Sequence, residues 1–171
     1  VKVGNGAFMK TLPDAKKLAE TMLTIGKGLG RKIVAVISNM DQPLGCAVGN
    51  ANEVIEAIET LKGNGPEDFT ELVYNIAALA LKLNGEVSTL EEGIKKVEEV
   101  IKNGSALKKF ASFIKESGGN PEIINDYSLL PVFSSEIDVK SENEGYVSEI
   151  QAEEIGKAAM IIGAGRATKE D

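Results

Sequence analysis

One apolar run, Ile33-Val34-Ala35-Val36-Ile37, constrains the fold of this chain more than any other feature. Its residues do not alternate between apolar and polar, and this is typical of a strand that is covered on both faces in a parallel sheet. Val1-Lys2-Val3 has the pattern of the end of an earlier strand. A helical pattern lies between the two, with apolar residues at Ala15, Leu18, Ala19, Met22 and Leu23. Strand, helix and strand in this order predict a right-handed crossover with parallel strands.

A loop follows the carboxyl end of each of these strands, at residues 4–10 and 38–49. The carboxyl ends of parallel strands lie at one edge of a sheet, so we expect the two loops to be neighbours where α/β proteins bind ligands. The second loop contains Pro43, Gly45 and Gly49, so its backbone can approach a small ligand closely. Asp41 is a candidate base or ligand, or a residue that fixes the turn.

Four further helical patterns predict helices around the sheet. Asn50 with Glu53 predicts a capping box at the start of the first, and Ser88 with Glu91 predicts one at the start of the third. The fourth pattern ends at Gly118-Gly119.

The pattern changes after Pro121, since residues 133–139 and 146–150 alternate as half-buried strands do. A short helix at 152–162 then leads to Gly163-Ala164-Gly165, which we interpret as structural. The predicted fold class is α/β: a partial mixed or parallel sheet with flanking helices, followed by the start of a small α+β, β-rich C-terminal domain. We place residues 1–130 in the first domain and 131–171 in the second. Two parallel strands cannot form a core alone, so we expect a fragment of a longer enzyme.

Composition excludes several functions. The chain has 171 residues and a net charge of −7, which argues against a nucleic-acid-binding surface. No apolar run approaches the roughly 20 residues that span a membrane. The single cysteine fits a reducing, cytoplasmic location, and the absence of histidine excludes Ser-His-Asp and Cys-His catalysis. We therefore assign no catalytic residue within this chain.

Several segments, in their order and spacing, resemble the pyrimidine-nucleoside and thymidine phosphorylases. They are Lys2-Val3-Gly4-Asn5-Gly6-Ala7-Phe8-Met9-Lys10, Met40-Asp41-Gln42-Pro43-Leu44-Gly45-Cys46-Ala47-Val48-Gly49-Asn50, Lys62-Gly63-Asn64-Gly65-Pro66-Glu67-Asp68, Gly145-Tyr146-Val147-Ser148-Glu149-Ile150 and Gly163-Ala164-Gly165-Arg166-Ala167-Thr168.

The resemblance implies a glycosyltransferase in which inorganic phosphate, the co-substrate, attacks C1′ of a pyrimidine nucleoside such as uridine, deoxyuridine or thymidine. The products are free base and (deoxy)ribose 1-phosphate. Such an enzyme is a homodimer when whole, and its phosphate and base anchors lie upstream of the segments seen here. We therefore expect this chain to be inactive alone, and it does not reveal which nucleoside is preferred.

The resemblance also implies two sets of binding residues. Phe8 is expected to line the pyrimidine pocket, where an aromatic ring can pack against a planar base; the alternative is that it covers the end of the sheet. Potassium is expected to bind main-chain oxygens of Leu44 and Ala47 and the carboxylate of Glu56, because a hard cation prefers oxygen ligands. The alternative for Glu56 is a solvated helix residue without a partner.

Two other functions compete with this one. A related transferase of the same fold, such as an anthranilate phosphoribosyltransferase or an archaeal nucleotide phosphorylase, would lack the segments at 40–45 and 145–150. A non-catalytic acidic binding domain would fit the absence of histidine.

Overall fold

The computed structural model describes residues 1–131, 133 and 135–165. Its elements are β1 (Lys2–Val3), α1 (Leu12–Gly28), β2 (Ser38–Asn39), α2 (Asn50–Leu61), α3 (Glu67–Asn84), α4 (Leu90–Lys102), α5 (Ser105–Glu116) and α6 (Ala152–Ile161), with 3-10 turns at Pro121–Ile124 and Tyr127–Leu129. The described part is thus mostly helical, with one small parallel sheet.

The predicted parallel pair is present, but it is shorter than expected and lies further along the chain. β1 and β2 are parallel, with Lys2 opposite Ser38 and Val3 opposite Asn39. The prediction of a strand at 33–37 was wrong. Residues 33–37 belong to no strand, because β1 pairs with Ser38 and Asn39, and the Val36 carbonyl accepts a single hydrogen bond from the Val1 nitrogen at 2.6 Å. Val34 is accordingly 46% exposed rather than covered on both faces.

The crossover helix α1 forms where its pattern predicts it. Thr11 caps its first turn by accepting a hydrogen bond from the Asp14 N–H, and Pro13 sits where its missing N–H costs nothing. Ala15 and Ala19 are buried as expected. The apolar face is only partly covered, however, since the larger side chains Leu18 and Met22 are 38% and 49% exposed.

Of the two predicted capping boxes, the one at α4 is displaced by one residue and the one at α2 does not form. α4 begins after Thr89, whose hydroxyl accepts from the Glu92 N–H, so Ser88 and Glu91 are not the capping pair. α2 begins after Gly49, which has φ +118°, a value that favours glycine over the asparagine of the prediction. The Glu53 carboxylate still accepts a hydrogen bond at the start of α2, from the Gly49 N–H at 3.1 Å.

The helices α3 and α4 form the main packed unit. Ala78 of α3 is fully buried, and a Cβ at Gly93 of α4 would lie 2.8 Å from the Ala78 Cβ, so the two backbones are in close contact. Val97 and Ile101 of α4 are also buried, as their spacing predicts.

The two strands predicted after Pro121 are not observed within the described residues. Ile137, Val139 and Tyr146 are 82%, 94% and 103% exposed. Alternation stabilises a strand only where one face packs on a core and a neighbour pairs its backbone, and neither condition is met here. The β-rich character predicted for this region is therefore wrong for the described residues, whereas the predicted helix is present as α6.

Among the described residues, no helix is both long and apolar enough to cross a membrane.

Candidate functional site

The two loops after β1 and β2 meet, which confirms that prediction. The Gly6 N–H donates to the Met40 carbonyl at 2.9 Å, and the Asn5 N–H donates to Asp41 Oδ1 at 3.0 Å. Gly4 has φ +129°, and a Cβ there would lie 2.7 Å from the Asp41 backbone nitrogen. Asp41 therefore joins the loops through its carboxylate, rather than fixing its own turn.

Phe8 lies at the tip of the first loop, and its side chain is 99% exposed. The alternative that it covers the end of the sheet is therefore wrong. An open, largely apolar pocket lies beside it, lined by Leu18, Met22 and Met40 among others. An exposed ring beside such a pocket is suited to contact a flat, apolar ligand face.

Glu56 of α2 holds the second loop in place. Its Oε1 accepts hydrogen bonds from the Cys46 N–H at 2.8 Å and the Ala47 N–H at 2.9 Å. Gly45 has φ +71°, and a Cβ there would lie 2.9 Å from Glu56 Cδ. The alternative of a solvated glutamate without a partner is therefore wrong.

A monovalent cation at Glu56 would need oxygen ligands from its carboxylate and from the main chain of Leu44 and Ala47. Glu56 supplies a carboxylate, and Leu44 and Ala47 belong to the loop that this carboxylate holds. Among the hydrogen bonds of the described residues, none uses Glu56 Oε2. The described residues contain no cluster of three or more acidic, cysteine or histidine side chains suited to a metal, so a cation here would depend on main-chain oxygens.

A polar cluster that the sequence pattern did not predict lies at the end of α2, at the edge of a pocket lined by Ala47, Glu56 and Glu59 among others. The Tyr127 hydroxyl donates to Glu59 Oε1, and Lys62 Nζ donates to the Tyr127 oxygen at 2.7 Å and to Glu59 at 3.1 Å. Hydrogen bonds from Tyr127, then Asn64 and Lys62, lower the pKa of Glu59 to about 2. The cluster attaches the second 3-10 turn to α2. Tyr127 lies 65 residues from Lys62 and 68 residues from Glu59 in the chain, so no local spacing could have revealed its part in the cluster.

The C-terminal helix α6 also reaches these loops. The Ala152 N–H donates to the Asp41 carbonyl at 3.0 Å, and the Glu153 N–H donates to Asn5 Oδ1 at 2.9 Å. After α6, the Ala164 carbonyl accepts the Asn50 N–H at 2.7 Å and so stabilises the start of α2. This fits the structural interpretation of residues 163–165, whereas the rest of that motif, residues 166–168, lies outside the described residues.

Comparison with known families gives two matches. The glycosyl transferase family, a/b domain, matches residues 1–107. The pyrimidine nucleoside phosphorylase C-terminal domain matches residues 146–171.

Curated proteins similar to this chain include the pyrimidine-nucleoside phosphorylases of Bacillus subtilis (strain 168), Staphylococcus haemolyticus (strain JCSC1435) and Staphylococcus aureus (strain USA300). They are 56%, 51% and 49% identical to it over all 171 residues. The chain spans 40% of the length of each of these relatives.

Proposed function

We propose, since the chain belongs to the pyrimidine-nucleoside phosphorylase family, that it is a segment of an enzyme that cleaves pyrimidine nucleosides with phosphate. The reaction transfers the (deoxy)ribosyl group of uridine, deoxyuridine or thymidine to inorganic phosphate and releases the free base. This segment contributes part of the base pocket and a loop scaffold. The residues that bind phosphate and the base edge belong to the remainder of the enzyme.

The observation that carries this proposal is the meeting of the two loops, with Phe8 exposed beside an apolar pocket. A pyrimidine is planar, and an aromatic side chain favours an offset or edge-on contact with such a ring. In the transition state the sugar becomes positive and the departing base negative. An aromatic side chain that positions the base and excludes water strengthens the electrostatic stabilisation of these transition-state charges by other groups.

A potassium ion is the second part of the proposal. Leu44 and Ala47 would bind it through main-chain oxygens and Glu56 through its carboxylate. The hydrogen bonds that the Cys46 and Ala47 N–H groups donate to Glu56 Oε1 support this set, because they hold the loop beside the carboxylate. The ion would supply positive charge that stabilises a loop rich in oxygen ligands; the chain's own residues position that loop at the edge of the site.

The complete enzyme is proposed to be a homodimer. Residues 1–130 would belong to its α/β domain and residues 131–171 to the start of its C-terminal domain.

The test is a chimera in which this segment replaces its counterpart in the Bacillus subtilis relative, which is 56% identical to it. We expect the chimera to release free base from uridine and thymidine only when phosphate is present, and the 171-residue chain alone to release none. A folded but inactive chimera would contradict the proposed function. Turnover by the chain alone, in a preparation free of other phosphorylases, would contradict the assignment of the anchors to the rest of the enzyme.

A further inference from the structure

The helix α6 does not cap its own N-terminus. Its N-cap residue, Gln151, makes no side-chain capping bond. The first N–H groups of a helix have no partner within the helix and need acceptors elsewhere. Here the Ala152 and Glu153 N–H groups find them in the two loops of the candidate site, at the Asp41 carbonyl and at Asn5 Oδ1.

Asn5 connects three segments at once. Its N–H donates to Asp41 Oδ1 at 3.0 Å, its carbonyl accepts from Lys10 Nζ at 2.6 Å, and its side-chain oxygen accepts from the Glu153 N–H at 2.9 Å. Lys10 and Glu153 also form an ion pair at 3.4 Å, but their side chains are 57% and 47% exposed. Exposed ion pairs contribute little to stability, so the hydrogen bonds of Asn5 attach α6 to the first loop more strongly than this ion pair does.

Close packing accompanies these bonds. A Cβ at Gly6 would lie 2.8 Å from the Ala152 Cβ, so the first turn of α6 rests against the loop two residues before Phe8. The Phe8 side chain is 99% exposed and gains little from packing, so the backbone of its loop sets its position.

From this geometry we infer that Asn5 is a positioning residue: by accepting the Glu153 N–H, it attaches α6 to the first loop and so sets where Phe8 stands relative to the second loop. The inference rests on the proposed function, because it is the nucleoside base that Phe8 would contact. The C-terminal segment thereby affects base binding without touching the base.

The first test measures amide hydrogen exchange in the 171-residue chain for Asn5→Ala, Asn5→Asp and the control Asn84→Ala. Asn84 is the last residue of α3, and its side chain donates a hydrogen bond to Glu86 at 3.4 Å. Loss of one hydrogen bond predicts exchange about fivefold faster in residues 4–10 and 152–155 of Asn5→Ala. Asn5→Asp keeps an acceptor oxygen and should exchange close to the parent rate, as should Asn84→Ala. Unchanged exchange in Asn5→Ala would overturn the inference.

The second test measures phosphorolysis in the chimera with the same variants and with Phe8→Ala. We expect Asn5→Ala to raise KM for the nucleoside several-fold with a smaller change in kcat, and Asn5→Asp to restore KM. An Asn5→Ala chimera with unchanged KM would overturn the inference if Phe8→Ala raises KM. If Phe8→Ala leaves KM unchanged, Phe8 does not contact the base, and the inferred effect of Asn5 on base binding is then wrong as well. In that case the hydrogen-exchange measurement tests only whether Asn5 attaches α6 to the first loop.

Discussion

At the scale of single residues, Glu56 does two things that can be separated. Its Oε1 accepts two amide hydrogen bonds from the second loop, and its charge is what the proposed potassium ion would require. A glutamine at this position keeps an acceptor oxygen but loses the charge. An alanine loses both, so the pair of substitutions distinguishes holding the loop from binding a cation.

We therefore expect Glu56→Gln in the chimera to lose most of the potassium dependence of activity and of melting temperature while remaining folded. Glu56→Ala should also lower the free energy of unfolding by about 1–3 kcal/mol, because two amides lose their acceptor. Titrations with potassium chloride against a choline chloride control, monitored by activity and thermal melting, measure both effects. A Glu56→Gln enzyme that responds to potassium as the parent does would contradict the proposed site.

The lowered pKa of Glu59 predicts how the stability of the folded chain depends on pH. Its pKa falls from the ordinary 4.5 to about 2 in the folded chain, through hydrogen bonds from Tyr127, Asn64 and Lys62. A depressed carboxyl pKa stabilises the folded state above the unfolded value, and this stabilisation is lost as pH falls through the window from 4.5 toward 2.

The corresponding variant is Glu59→Gln. Since the side chain is 32% exposed, we expect a loss of only about 1 kcal/mol at neutral pH. Urea unfolding at a series of pH values should show a constant difference from the parent above pH about 5, shrinking at lower pH. Glu98→Gln, at an exposed position of α4, is the matched control. A difference that stays constant down to the lowest pH would contradict the role of Glu59.

At the scale of elements, the close contact between α3 and α4 depends on a glycine, Gly93, which has no side chain. A Cβ at Gly93 would lie 2.8 Å from the Ala78 Cβ and 2.9 Å from the Ala78 Cα, so the helices cannot keep this distance with a larger residue. Elsewhere in a helix, glycine to alanine is usually stabilising because glycine loses more backbone entropy.

We predict the opposite sign here: Gly93→Ala should destabilise the chain by about 1–3 kcal/mol, because the backbones must separate. Gly156→Ala is the matched control, since a Cβ at that position of α6 meets nothing within 4 Å. Chemical denaturation with circular dichroism measures both, and a stabilised Gly93→Ala would contradict the close contact.

At the scale of the whole molecule, the chain exposes apolar surface that a compact domain would cover. Leu18, Met22 and Ile25 recur at helical spacing along α1 and are 38%, 49% and 59% exposed, and Leu29, the residue that follows the helix, is 71% exposed. Contiguous exposed apolar patches of this kind usually mark a surface that binds a partner.

The isolated chain should consequently bind a fluorescent hydrophobic dye and self-associate with rising concentration. The double variant Met22→Lys/Ile25→Lys should reduce both, because it places charge on this face, whereas Lys16→Glu/Lys17→Glu on the same helix serves as a charge control. Dye fluorescence and analytical ultracentrifugation measure the effect. Equal dye binding by the double variant and the parent would contradict the role of this face.

The local features of this protein follow from its amino-acid sequence alone. Helical patterns located the six α-helices found in the described residues, and the Gly- and Pro-rich loops after the first two predicted strands marked the edge where the candidate site lies. These predictions succeed because periodicity and backbone preference act between residues that are near each other in the chain. The segments at 2–10 and 40–50 likewise pointed to the family that the chain matches.

Which patterns become strands, and which loops are joined, depends instead on contacts between distant parts of the chain. Residues 33–37, 133–139 and 146–150 read as strands, yet none of the described residues among them forms one, because a strand requires a partner that no local pattern supplies. The attachment of α6 to Asn5 and the cluster of Glu59, Lys62 and Tyr127 depend on residues 65 to 148 positions apart. Such contacts form only when the folded backbone brings distant groups together, which is why the spacing of residues could not reveal them.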